Sequence, residues 1–191
     1  AYDVCKSPIL GVTGTNGKTT TTTLLTQVME STGLPVKVGG NIGDSLSEAA
    51  YHMPEGGYLV AELSSYQLET IKSFCPLGAI VLNVTPDHLA RHKTMENYAA
   101  AKARIFMNQT AHNFVVLNDD DPIVAAMKQG AHSTILSISQ HHKVDNGAYF
   151  EGNTCYVVSD GKVIPVIDTE HIHIKGSHNI ENILAVIALT Y

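Results

Sequence analysis

The chain has 191 residues, 44% of them hydrophobic, and 12 Lys and Arg against 18 Asp and Glu give a formal net charge of −6. That suffices for one large α/β domain with a proper core, and an acidic balance without any basic run excludes a general nucleic-acid binder, so phosphate binding must be local. Cys5, Cys75 and Cys155 are too scattered and odd in number for a disulfide framework, no stretch approaches the ~20 apolar residues of a membrane span, and the start does not resemble a signal peptide, so a cytoplasmic protein without a membrane partner is expected.

Pro8 to Leu25, PILGVTGTNGKTTTTTLL, reads as a short buried strand, a glycine-rich turn and the opening of a helix. Gly14 and Gly17 allow positive φ, which lets successive N–H groups point at an anion, and Lys18 adds a mobile positive charge. Thr19 stands where the helix dipole favours a phosphate and where a hydroxyl reaches a phosphate-bound Mg²⁺. The strict G-x-x-x-x-G-K-[ST] pattern wants glycine at Val12; here the glycines fall at Gly11, Gly14 and Gly17. The helix continues to Ser31 despite its five consecutive threonines, which rely on tertiary packing.

Pro35 to Val38 is a short strand, and Gly39, Gly40, Asn41, Ile42 and Gly43 form a second glycine-rich turn. It is either a backbone-lined site presenting Asn41 or a plain tight turn before a helix at Ser45 to Tyr51. Tyr58 to Ala61 is an apolar strand ending in Glu62, a carboxylate placed where α/β nucleotide proteins hold Mg²⁺ or its water. Ser64 and Ser65 then suit the cap of a short helix within Leu63 to Glu69. After the buried strand Gly78 to Val84 comes Thr85, Pro86, Asp87 and His88. His88 suits a metal or a phosphoryl oxygen with Asp87 orienting it, whereas nothing fixes His92 beside Arg91.

The helix Thr94 to Asn108 carries Lys102 one turn after Tyr98 on a face of small residues, either entering a crowded interior or solvated on an amphipathic surface. Asn113 to Leu117 is a strand, Asn118 to Pro122 an acidic turn capping a helix at Ile123 to Gln129, and Thr134 to Ile138 a further strand. This alternation predicts a P-loop type, mostly parallel sheet with helices on both faces. From Ser139 the pattern changes to a small antiparallel β appendage built from Ala148 to Phe150, Thr154 to Ser159, Lys162 to Ile167 and His171 to Ile174. His171 and His173 would share a strand face, but without a carboxylate or cysteine at ligand spacing no metal site is expected there; His141 and His142 read as solvated. In the last helix Asn179 and Asn182, three apart, are able to read a base edge, with capping by Ser177 or Asn179 as the plainer reading. The Ala at residue 1 and the apolar run Ile183 to Leu189, still helical at the end, suggest a piece of a longer protein.

Together these stretches resemble the Mur ligases, the ATP-dependent amide-forming enzymes of peptidoglycan precursor synthesis. GTNGKT, GGNIG, ELSS, DHL, YAAAKARI, LNDDD and HNIEN occur in that family's order, across residues 1–191 as its central ATP-binding domain. ELSSYQLE is most similar to the members that add D-glutamate to UDP-N-acetylmuramoyl-L-alanine. The resemblance implies that Gly14, Thr15, Asn16, Gly17, Lys18, Thr19 and Thr20 hold the ATP phosphates, and that Thr19 and Glu62 hold one Mg²⁺. His88 and Lys102 would serve a second, Lys102 as a carbamate. It further implies that Asn41 and Ser64 contact the UDP-muramoyl substrate and that Asn179 and Asn182 contact adenine. Catalysis would then rest on Lys18, Glu62, His88 and Lys102. Ser177 stands where the family often has arginine. N-terminal UDP-binding and C-terminal closing domains would be the partners of this piece. A ligase adding another amino acid is the nearest alternative. A P-loop kinase or GTPase would want Walker spacing and an N-K-x-D run that the chain lacks, and a non-enzymatic nucleotide-binding module would follow if Lys102 and His88 did not converge on the phosphate loop.

Overall fold

The computed structural model describes residues 1–174 and 176–191, apart from the side chain of Ser177, so the reading of Ser177 as a cap or arginine replacement lies outside the described residues. Among them, nine strands form one sheet in the order β2-β3-β1-β4-β5-β6-β7-β8-β9. The strands are β1 (Ile9–Thr13), β2 (Val36–Gly40), β3 (Tyr58–Glu62), β4 (Gly78–Val81), β5 (Phe114–Asn118), β6 (Thr134–Ser139), β7 (Gly147–Glu151), β8 (Thr154–Ser159) and β9 (Lys162–Asp168). Pairing is parallel from β2 to β7 and antiparallel across β7, β8 and β9.

The alternation of side chains along each strand divides the core in two. Ile9, Leu59, Ala79, Val81 and Val115 face one side, where they meet Ala49, Tyr98, Ile105 and Val124. Leu10, Val12, Val60, Ile80 and Val116 face the other, where they meet Leu25, Met29, Leu184 and Ala185. The helices therefore lie on both faces, as a parallel sheet with apolar strands requires. The first side carries α2 (Leu46–Tyr51), α5 (Met95–Ala103) and α6 (Pro122–Ala126); the second carries α1 (Lys18–Glu30) and α7 (Ser177–Thr190); α3 (Ser65–Leu68) and α4 (Leu89–His92) are short turns. Threonines in α1 are spent on packing and on the backbone: Thr21, Thr22 and Thr26 are buried, and Thr26 Oγ1 donates to Thr22 O at 2.7 Å.

The strand order reverses at β1, with β3 on one side and β4 on the other. Chain ends that leave the carboxyl edge there open the crevice in which α/β sheets bind ligands. The expected antiparallel addition is present, but it extends the main sheet. Gly147 is needed at the junction: its φ is +125° and a Cβ would meet Ser137 O at 2.0 Å. The run His171 to Ile174 is not a strand; Thr169–His171 is a 3-10 turn, so His171 and His173 share no strand face. The residues before it do supply carboxylates, half-buried Asp168 and exposed Glu170, with ligand atoms within 4.8 Å of one another and of the exposed His171. The helix expected to reach Asn108 ends its α-helical part at Ala103 and tightens to a 3-10 turn at Arg104–Phe106, where Arg104 turns its guanidinium onto Leu68 O and Ile71 O. Among the described residues no helix is long and apolar enough to cross a membrane.

Candidate active site

The loop after β1 meets α1 at Gly17, which has φ +82° and so sits where L side chains are strained. Space forbids a side chain there as well, because a Cβ would lie 2.3 Å from Asn182 Oδ1. Lys18 folds back over the loop, donating to Gly14 O at 3.1 Å and Thr15 O at 2.9 Å. Its charge is thereby held beside the free N–H groups of the first turn of α1, a place suited to an anion. Thr20 is half-buried on that same turn.

One hydrogen-bonded set gathers around Glu62 at the end of β3. Its carboxylate is 1% exposed, accepting from Thr19 Oγ1 at 2.9 Å through Oε2 and from Asn41 Nδ2 at 2.8 Å through Oε1. Gly40 makes that approach possible: with φ +115°, it brings the backbone to where a Cβ would be 2.2 Å from Glu62 O. The second glycine turn thus delivers Asn41 to Glu62. These hydrogen-bond partners are uncharged, so the buried carboxylate has no countercharge among them, and an oxygen-rich set of this kind fits a hard divalent cation such as Mg²⁺.

Opposite, α5 brings Lys102 into the interior. It is 1% exposed, donates to Gly14 O at 2.7 Å and lies 4.6 Å from the Tyr98 ring centroid. Lys18 and Lys102 therefore share one carbonyl oxygen. Burial, reinforced by the charge of Lys18 and opposed by Asp87, lowers the Lys102 ammonium from 10.5 to about 7. A buried lysine with a sizeable neutral fraction near neutral pH is a nucleophile, as carbamate formation from CO₂ needs. His88 has φ +52° and is exposed. Its N–H donates to Asp87 Oδ1 at 2.7 Å, its Nε2 lies 3.4 Å from Asp87 Oδ2, and its ring is 6.2 Å from that of Tyr98. It joins the group through this ring contact.

The sequence profile of the Mur ligase middle domain matches residues 12–190. The chain belongs to the Mur ligase family. It is 47% identical, over all 191 residues, to a UDP-N-acetylmuramoylalanine--D-glutamate ligase of Thermoanaerobacter pseudethanolicus, covering 42% of that protein. Identity to the ligase of the same name from Clostridioides difficile is 42%, again over 100% of this chain and 42% of the relative. The chain thus spans about two fifths the length of the curated relatives it matches. Among solved structures, a UDP-N-acetylmuramoyl-L-alanyl-D-glutamate--2,6-diaminopimelate ligase superposes with a TM-score of 0.76 at 26% identity, over 96% of this chain and 42% of that one. MurF from Acinetobacter baumannii gives 0.72 at 18% identity, over 97% and 43%, a likeness of fold alone.

The other Mur-motif positions divide by environment. Ser64 caps α3, its Oγ accepting from Gln67 N at 3.3 Å while Gln67 Oε1 accepts from Ser64 N at 2.8 Å, a capping box that leaves Ser64 half-buried. Ser65 does not cap; its Oγ lies 3.0 Å from His92 Nε2. His92, for which the sequence offers no fixed partner, is buried, 3.4 Å from Glu69 Oε1 through Nδ1 and with its ring 4.9 Å from Tyr98. Asn182 is turned inward: Thr21 Oγ1 donates to its Oδ1 at 3.1 Å, and its Nδ2 donates to Asn179 Oδ1 at 3.2 Å. In the acidic turn Asp121 caps α6 as expected. Sequence reasoning missed Tyr98, whose hydroxyl is 3.3 Å from Thr15 Oγ1, and Asn83, which binds the loop. Only the motif YAAAKARI marked Tyr98, and only its place at the end of a strand marked Asn83.

Proposed function

We propose that this chain supplies the ATP and Mg²⁺ site of a cytoplasmic ligase that adds D-glutamate to UDP-N-acetylmuramoyl-L-alanine in peptidoglycan precursor synthesis. The observation that carries the reading is convergence: Lys18 and Lys102 meet on Gly14 O while Thr19 and Asn41 meet on Glu62, all around one glycine loop. In this reading the loop from Gly14 to Thr20 cradles the phosphates, with Lys18 moving from the loop carbonyls onto the γ-phosphate. Thr19 and Glu62 would hold one Mg²⁺, and His88 with a carbamylated Lys102 would hold a second; the charge of these ions would offset that of the phosphates during transfer. Asn41, bonded to Glu62, and Ser64 would contact the muramoyl substrate. Asn179 would meet adenine, with Asn182 holding it in place from inside.

The substrate carboxylate attacks the γ-phosphorus and ADP leaves; the amine of the amino acid then attacks the acyl carbon, losing its proton as inorganic phosphate departs. Activation is required because a carboxylate is a poor electrophile, and positioning does much of the work. The extra length of the relatives supports further domains, which in this reading lie N- and C-terminal, bind the UDP moiety and close over ATP, so the chain alone would bind nucleotide without completing ligation. Isothermal titration with a nonhydrolysable ATP analogue and Mg²⁺ tests this. Wild type is expected to bind, and Lys18→Ala and wild type in EDTA to bind at least about tenfold more weakly, the loss of about 1.4 kcal/mol. A folded wild type that binds no nucleotide would overturn the reading of an independent ATP site.

A further inference from the structure

Asn83, just beyond β4, has no role in the chemistry above, yet it is bonded to the phosphate loop at three points. Its backbone oxygen accepts from Thr15 N at 2.9 Å, its Oδ1 accepts from Asn16 N at 2.8 Å, and its Nδ2 donates to Asn16 O at 3.2 Å. The Nδ2 group also donates to Glu181 Oε1, 2.8 Å away on α7. The orientation of this amide is dictated chemically. A backbone N–H only donates, which selects Oδ1 for Asn16 N, and a backbone carbonyl only accepts, which selects Nδ2 for Asn16 O, the group that also reaches Glu181 Oε1. Turned the other way, the amide would set donor against donor and acceptor against acceptor.

Asn83 thus gives Asn16 the pair of bonds that a neighbouring strand would give. The Asn16 N–H is committed to the protein, and the loop is held in the shape in which Gly14 O and Thr15 O face Lys18. The same helix supports the loop again one residue on, where Asn182 packs against Gly17.

We infer that Asn83, oriented by Glu181, is a positioning residue that sets the shape of the phosphate loop. The inference rests on the reading of Gly14 to Thr19 as a phosphate loop, and its test needs no nucleotide. Amide hydrogen exchange in Asn83→Ala should quicken about tenfold at Asn16, equivalent to about 1.4 kcal/mol of lost protection, while Val116 in β5 is unchanged. Glu181→Ala should quicken Asn16 in the same direction. Glu181→Gln, whose amide oxygen still accepts, should restore the wild-type rate, and Glu181→Ala added to Asn83→Ala should change nothing further. Unaltered exchange at Asn16 in a folded Asn83→Ala, or equal effects of Glu181→Ala and Glu181→Gln, would overturn it. Should Asn83→Ala not fold, the two Glu181 variants decide the matter. A nucleotide titration that fails in wild type would count against the ATP site and leave this exchange result intact.

Discussion

Lys102 is the residue on which chemistry and stability pull in opposite directions. Its ammonium is buried beside Lys18 and stands at about 7 in the folded chain. The unfolded lysine keeps its ordinary value near 10.4, so between these two limits the unfolded chain binds more protons than the folded one. Stability therefore rises with pH across that window, and the penalty is present in full below it. In CO₂-free buffer, denaturant unfolding of wild type minus that of Lys102→Met should show wild type gaining on the order of 2 kcal/mol from pH 7 to pH 9. Taking the difference cancels the other groups that titrate there; parallel profiles would show that Lys102 keeps its proton. Sequence could not settle this residue, because helical spacing puts a lysine one turn from a tyrosine equally well inside or outside. What decides it is the small face of α5 closing on the sheet next to the loop.

At the scale of the element, the acidic turn before α6 shows how short helices survive here. Five residues form no stable helix alone, yet Asp121 accepts from Ile123 N at 2.9 Å and Val124 N at 3.1 Å, and its second oxygen accepts from Val84 N at 2.7 Å. Asp121→Ala should cost about 2–3 kcal/mol, from a lost cap plus a buried donor left without a partner, measured as a lower urea midpoint with little change in slope. A loss within about 0.5 kcal/mol would mean that water replaces the cap. The strands and most helices as far as Ser139 were legible because apolar runs and glycine punctuation report burial on two faces and turns; the short α4 was not, having no apolar run of its own. The site was legible where a motif fixes several atoms at once, as at Lys18, Thr19 and Glu62. It was not legible at His92, whose burial depends on Ser65 and Tyr98, nor at Asn182, whose amide faces α1; both depend on which helix packs next to which.

For the whole molecule, the continuity of the sheet matters more than its length. Cys155 in β8 is fully buried and belongs to the same core cluster as Leu10 and Val12 of β1, so β7 to β9 should unfold together with the nucleotide-facing half. In a Cys5→Ser, Cys75→Ser background, thiol labelling of Cys155 across a urea titration should coincide with the loss of far-UV circular dichroism. Labelling at clearly lower urea would mean that the antiparallel strands open as a unit of their own. A single continuous sheet also ends in open edges, and the outer one, β9, carries Pro165 where it meets Tyr156, with the register shifting just beyond it. A proline has no N–H to offer a newcomer and an irregular ladder bends away from one. Although Val163 and Val166 are exposed on that strand, its irregular rim is a poor template for stacking one copy on the next, a safeguard against fibrous assembly written into the last strand of the sheet.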